Sequence, residues 1–184
     1  MNWIDTRLLA YGTIADHPAK QTVIQALRFG AWGGTVITLL ELFHVLTRDY
    51  DVAPAAAAAT TERLARSPLH WAPVDARRMV GAVVERERSG VQSSEALLLL
   101  QARDDQGTLV THDATLAHAA FAHEVNVYDP ITPELAVAIT LWEQEHLVGV
   151  RRELGAVENW LKNEDPQIAT RFRFATENLT ALPG

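Results

Sequence analysis

Apolar positions along the chain fall into short runs separated by polar, glycine-marked or proline-marked breaks, and the runs alternate between the spacing of strands and that of helices. MNWI, residues 1 to 4, is too short for a helical repeat and reads as a strand. His17-Pro18 opens a helix to Gly30, with proline in its first turn and glycine past its end. GTVI, residues 34 to 37, is a second β-branched run, after which Thr38-Leu39-Leu40-Glu41 has the spacing of a capping box and opens a helix through about Arg48. Pro54 starts a third helix, through the alanine run to Arg66, and Asp75 caps a fourth that ends before Gly90. Between these two, LHWAPV at 69 to 74 is a short strand. Ser93 or Ser94 caps a helix through about Asp105, Gln106-Gly107 turns the chain, and Thr108 to Thr111 is a strand. A helix from Ala114 to His123 and a strand from Val125 to Tyr128 complete the alternation.

Strands alternating with helices imply an α/β fold, with a parallel sheet, right-handed crossovers and helices on both faces. Open sheets of this kind bind ligands outside the carboxyl ends of their strands. The informative carboxylates fall there: Asp5 ends the first strand, Glu41 lies in the first turn after the second, and Asp113 follows Thr108 to Thr111. Glu95 fits as well, because it begins the helix that leads into that strand, and an antiparallel helix starts near the strand's end.

Each position has an ordinary explanation. Glu41 is the third position of a capping box, Glu95 is favoured by the dipole of a first helical turn, Asp113 can start the following helix, and Asp5 can solvate an edge strand. Four carboxylates on one edge repel one another, however, and burial raises their pKa values unless a cation is near. Oxygen ligands without sulfur suit Mg²⁺ or Mn²⁺, which also accept phosphate oxygens, and this points to phosphoryl chemistry. Thr111 can position Asp113 or hold a metal-bound water, and it is equally an ordinary strand residue. His44 and His112 lack the HxxxH spacing of a helical zinc site and are read as supporting or surface residues.

Composition narrows the classes. The 184 residues, 48% hydrophobic and 21% charged, suffice for one domain with a sizeable core plus an appendage. The absence of cysteine excludes disulfides, thiolate zinc sites and cysteine nucleophiles. The apolar runs are far short of a membrane span, and MNWIDTRLLAYG carries an acid at position 5 instead of a basic stretch followed by a long apolar segment. The expectation is therefore a cytoplasmic protein with no membrane partner. A net charge of -7 argues against nonspecific nucleic-acid binding. Of the 16 basic residues 14 are arginine, the better fork for phosphate oxygens, although a GC-rich coding bias explains that equally well.

Taken together, "WIDTRLLAY", "VITLLELFHVLTR", "SSEALLLLQARDDQGTLVTHDATLAHAA" and "VNVYDP" resemble, in order and spacing, the segments of PIN-domain ribonucleases of the VapC toxin type. The resemblance covers roughly residues 1 to 130 and implies a PIN-like α/β/α sandwich with metal-dependent endoribonuclease activity on RNA. It also implies that Asp5, Glu41, Glu95 and Asp113 hold Mg²⁺ or Mn²⁺, supported by Thr111, and that the protein is a toxin masked by an antitoxin. The chain departs from the family in carrying Glu95 where aspartate is usual, since the extra methylene moves the carboxylate outward. That departure makes a catalytically impaired PIN-like module, binding RNA or protein, the alternative reading. Haloacid-dehalogenase-like phosphatases also place an aspartate after the first strand, but Asp5-Thr6-Arg7 lacks their second acid two residues on.

Residues 131 to 184 exceed the usual toxin length and read as a C-terminal helical hairpin. Thr132-Pro133 starts one helix, on which Val150, Leu154, Val157 and Leu161 share a stripe. Asp165-Pro166 starts another, with Ile168, Phe172, Ala175, Leu179 and Leu182 on one face. Such stripes need cover, from the main domain or from a second copy in a homodimer.

Overall fold

The computed structural model describes residues 1–148, together with 157, 161, 167, 168, 171 and 172. Five parallel strands form one sheet: β1 (Asn2–Ile4), β2 (Trp32–Thr35), β3 (His70–Ala72), β4 (Thr108–Val110) and β5 (Asn126–Tyr128). Their spatial order is β3-β2-β1-β4-β5. Connecting and flanking them are the helices α1 (Thr6–Thr13), α2 (Lys20–Leu27), α3 (Val36–His44), α4 (Pro54–Ala65), α5 (Ala76–Ser89), α6 (Ser93–Asp104), α7 (Ala114–Ala122) and α8 (Pro133–His146). A wide π-helical turn, Val45–Asp49, extends α3.

Alternation along the strands builds the two layers of core. Trp3 and Leu109 point to one face and join Leu97, Leu99 and Leu116 from α6 and α7. Ile4 and Val110, one residue on, point to the other and join Leu8, Leu9, Tyr11, Leu42 and Ile139 from α1, α3 and α8. Each such side chain, when fully buried, contributes roughly 1.5–3 kcal/mol. The expected α/β/α sandwich is observed. α8 starts at Thr132-Pro133 as its residues indicate, with the Thr132 side chain accepting from Leu135 N. Of the hairpin stripes, Val150, Leu154, Ala175, Leu179 and Leu182 lie outside the described residues. Val157, Leu161, Ile168 and Phe172 are helical, with Val157 and Ile168 exposed. Among the described residues no helix is long and apolar enough to cross a membrane.

Three local readings need correction. Residues 6–13 form a helix that carries no glycine or proline signal at its start; it is nucleated by Asp5, whose side chain accepts from Leu8 N at 2.8 Å. The helix expected from His17-Pro18 to Gly30 is shorter, Lys20–Leu27. The second strand is Trp32–Thr35, so Val36 and Ile37 open the helix instead of ending the strand. Glycine is used there for close approach: a Cβ on Gly33 would lie 2.7 Å from the His70 carbonyl oxygen, and one on Gly34 2.8 Å from the Trp71 ring. The capping box consequently moves three residues back. Thr35 is the cap and Thr38 its reciprocal partner, leaving Glu41 well inside α3.

Candidate active site at the strand-order switch

Strand order reverses at β1: β2 and β3 extend to one side of it, β4 and β5 to the other. A parallel α/β sheet opens its ligand crevice at such a switch point, beyond the carboxyl ends of the two central strands. β1 and β4 pair there in register, Ile4 opposite Val110. Asp5 and Thr111 are therefore adjacent, and Asp5 N donates to the Val110 carbonyl at 3.1 Å.

Thr111, 1% exposed, lies between Asp5 and the Asp113 backbone. Its Oγ1 accepts from Asp113 N at 2.9 Å, and its hydroxyl favours the charged form of Asp5. Each aspartate also starts a helix. Asp5 Oδ1 caps α1, and Asp113 Oδ1 caps α7 by accepting from Thr115 N at 2.8 Å and Leu116 N at 2.9 Å. Asp5 is thus a buried group on a central strand, and the alternative that it solvates a sheet edge is removed.

Glu41 approaches from α3, half-buried. Freed from the capping box, it accepts hydrogen bonds from two hydroxyls on other elements, Thr6 of α1 and Ser94 of α6, the latter at 2.7 Å. Glu95 takes a capping-box place, the ordinary reading weighed for Glu41. It is the third residue of the α6 capping box, and its Oε2 accepts from Gln92 N at 2.9 Å. The fold brings Asp5, Thr111, Asp113 and Glu41 together, and at α6 it is Ser94 that reaches the group while the Glu95 carboxylate bonds to its own helix start.

Burial dominates the electrostatics. It pushes the Asp5 carboxyl above its ordinary range; the Thr111 and Leu8 hydrogen bonds partly oppose this, and the nearby Asp113 charge adds to it. Glu41 is likewise pushed up by burial, against the Thr6 and Ser94 hydrogen bonds, and the Asp5 charge adds again. One cation, Arg7, acts favourably on both.

Several residues of this neighbourhood escape a reading of the sequence. Thr6 and Ser94 stand beside acids in the motifs, and a hydroxyl next to a candidate ligand is the only signal for them. Glu143, on α8, has none: its Oε1 accepts from Tyr11 at 3.1 Å and from Tyr50 at 2.8 Å, across 132 and 93 residues. Burial pushes both phenols up, so they remain neutral donors. Burial works against the charge of Arg7, but the Glu143 and Asp113 carboxylates favour it, and the guanidinium stays cationic. The histidines stand aside as expected. His112 Nδ1 lies 2.8 Å from Asp129 Oδ2, and the His44 ring packs on Phe43.

In chemistry the donor set fits a hard divalent ion, being oxygen only and rich in carboxylate. In arrangement the fit is partial, because each carboxylate is engaged by protein donors. Among the described residues no three carboxylate or imidazole groups converge on one metal position.

The fold is similar to the structure of FitAB bound to the IR36 DNA fragment, with a TM-score of 0.52 and 17% identity over 71% of this chain and 95% of that one. It is equally similar to the crystal structure of FitAcB from Neisseria gonorrhoeae, with a TM-score of 0.52 and 18% identity over 71% of this chain and 98% of that one. No family model matches the sequence, and no curated protein matches it. At these identities the likeness concerns architecture, and in architecture the chain is a PIN-like α/β/α sandwich.

Proposed function

We propose that the protein is a metal-dependent endoribonuclease that hydrolyses RNA phosphodiester bonds and serves as the toxin of a toxin/antitoxin pair. The observation that carries this reading is the Asp5–Thr111–Asp113 link at the strand-order switch of a PIN-like fold, with half-buried Glu41 beside it. Asp5, Glu41 and Asp113 would hold Mg²⁺ or Mn²⁺, with Glu95 joining if its carboxylate leaves Gln92. A bound ion would supply the positive charge that offsets both the clustered carboxylates and the charge developing on a phosphodiester. Thr111 holds Asp5 and Asp113 at a set separation, and Thr6 and Ser94 orient Glu41. The antitoxin and a homodimer belong to the same proposal. It is supported by an apolar face on α5, where Met79, Val80, Val83 and Val84 are all exposed.

A second reading, a catalytically impaired PIN-like module that binds RNA or protein, is favoured by one feature. Glu95 is bonded to Gln92 N and Glu41 to two hydroxyls, so both carboxylates already have protein partners.

Cleavage of single-stranded RNA by the purified protein in Mg²⁺ or Mn²⁺, stopped by EDTA, separates the two. Asp5→Asn and Asp113→Asn are expected to abolish cleavage with little loss of fold, because asparagine caps a helix about as well as aspartate. Cleavage retained in both variants would overturn the nuclease reading, and RNA binding without cleavage by the unaltered protein would establish the second one. Cleavage of DNA alone would replace the substrate.

A further inference from the structure

We infer that Arg7 receives a phosphate of the nucleic-acid strand at this site, and that Glu143, fixed by the Tyr11 and Tyr50 hydroxyls, positions its guanidinium. The inference rests on the reading that nucleic acid is the substrate.

Arg7 differs from its neighbours. In the first turns of α1, Thr6, Leu8, Leu9, Ala10 and Tyr11 are buried, and Arg7 alone reaches solvent. It lies two residues after Asp5, at the carboxyl end of β1, and four residues before Tyr11, so Arg7 and Tyr11 share a face of the helix. Tyr11 leads to Glu143, whose second anchor is Tyr50. Two carboxylates, Glu143 of α8 and Asp113 past β4, favour the charge of the guanidinium. Yet among the described residues it forms no hydrogen bond and no ion pair. Its charge is held by surrounding groups, and its N–H donors have no partner among the described residues.

A phosphodiester supplies what those donors lack, since its two oxygens match the guanidinium fork. It is also the ligand with most need of a cation here. A strand approaching Asp5, Glu41 and Asp113 meets like charge, and Arg7 is the basic side chain that acts on both Asp5 and Glu41. The chain's net charge of -7 makes a local cation necessary, because the overall field repels RNA.

The test uses the full-length protein and a fluorescein-labelled oligouridylate, with binding followed by anisotropy in EDTA over a salt series and cleavage followed in Mn²⁺. Arg7→Ala is expected to weaken binding by about tenfold, the scale of one charge-assisted contact. It should make the slope of log K against log salt shallower by about 0.7, the value for one phosphate on a single strand. Cleavage should show a raised KM with a smaller change in kcat. Arg7→Gln keeps most of the stem packing and should behave in the same way, so a folding defect of the alanine variant does not decide the matter. Arg7→Lys should restore the slope. Glu143→Gln should weaken binding although it removes a negative charge, and tighter binding would overturn its positioning role.

Unchanged affinity, slope and KM in Arg7→Gln would overturn the proposal even if the unaltered protein cleaves RNA, and the nuclease reading would survive. Binding that depends on Arg7 without cleavage would sink the nuclease reading and sustain this one. No binding by the unaltered protein, in EDTA or in Mn²⁺, would overturn both.

Discussion

Thr111→Val isolates the link on which the candidate site depends. Valine matches the shape of threonine and removes only the hydroxyl, which a buried site does not tolerate as an isosteric change. Two consequences follow from the geometry. Asp113 N loses its acceptor at 2.9 Å, and an unsatisfied buried N–H costs about 1–3 kcal/mol. The Asp5 carboxylate also loses the hydroxyl that favours its charged form. The first loss alone is a sizeable share of a stability of about 5–15 kcal/mol. The two parts separate by pH. Burial already raises the Asp5 carboxyl above its unfolded value of 3.8, and without Thr111 it rises further. The extra penalty for ionised Asp5 therefore applies in full at neutral pH. It is relieved as pH falls through the raised native pKa, and it vanishes below 3.8, where Asp5 is protonated in both states. The Asp113 N–H part stays constant. Urea unfolding at pH 7 and near pH 4 should show a larger loss at pH 7. Thr111→Ser, which keeps both bonds and loses a methyl, should cost about 1 kcal/mol. A valine variant within about 0.5 kcal/mol of the parent, the range of a featureless substitution, would refute the argument, as would a loss equal at both pH values.

His17 is buried between Tyr11 and Trp142, and burial lowers its pKa from 6.5 to about 4. Its neutral form therefore contributes about 3 kcal/mol that is fully present above pH 6.5 and lost progressively as pH falls towards 4. In His17→Gln the stability curve should be flatter over that window, and curves parallel to the parent's would count against it. Gly107→Ala places a Cβ 2.6 Å from the Met1 carbonyl oxygen and 2.8 Å from the Trp3 ring, where backbone cannot yield. A loss of about 1–3 kcal/mol is expected by thermal unfolding. Gly81→Ala, in the interior of α5 with its nearest neighbour at 3.5 Å, should be neutral or stabilising by up to about 1 kcal/mol, and a reversal of that order would refute the contact argument.

The order of elements and the α/β/α class were legible because they depend on local quantities: apolar period, turn residues and helix caps. Asp75, Asp113 and Thr132 each cap the helix that follows them, as their neighbours in the chain indicate. Candidate ligands at strand ends were legible for the same reason, since strand followed by helix puts Asp5 and Asp113 on one edge whatever the strand order. What local pattern could not weigh was crowding. Trp32-Gly33-Gly34-Thr35 has poor intrinsic strand character and is strand because His70, Trp71 and Trp3 pack too closely for side chains there. The two residues that look most β-branched, Val36 and Ile37, are helical because Thr35 and Thr38 cap each other.

Tertiary structure alone decided which carboxylate does what. Each glutamate could be read as a helix cap or as a ligand: Glu41 is freed from capping because the capping box lies three residues earlier, and Glu95 bonds to a helix start because Gln92 N is within its reach. The strand order placed the reversal next to Asp5 and Asp113, and it arises from which helices cover which face. Glu143 entered the neighbourhood only because α8 folds back onto α1, bringing Tyr11 and a carboxylate 132 residues away within hydrogen-bond distance. A sequence specifies caps and periods within a few residues, whereas the charge balance around Asp5 is set by groups that meet only after the chain has closed on itself.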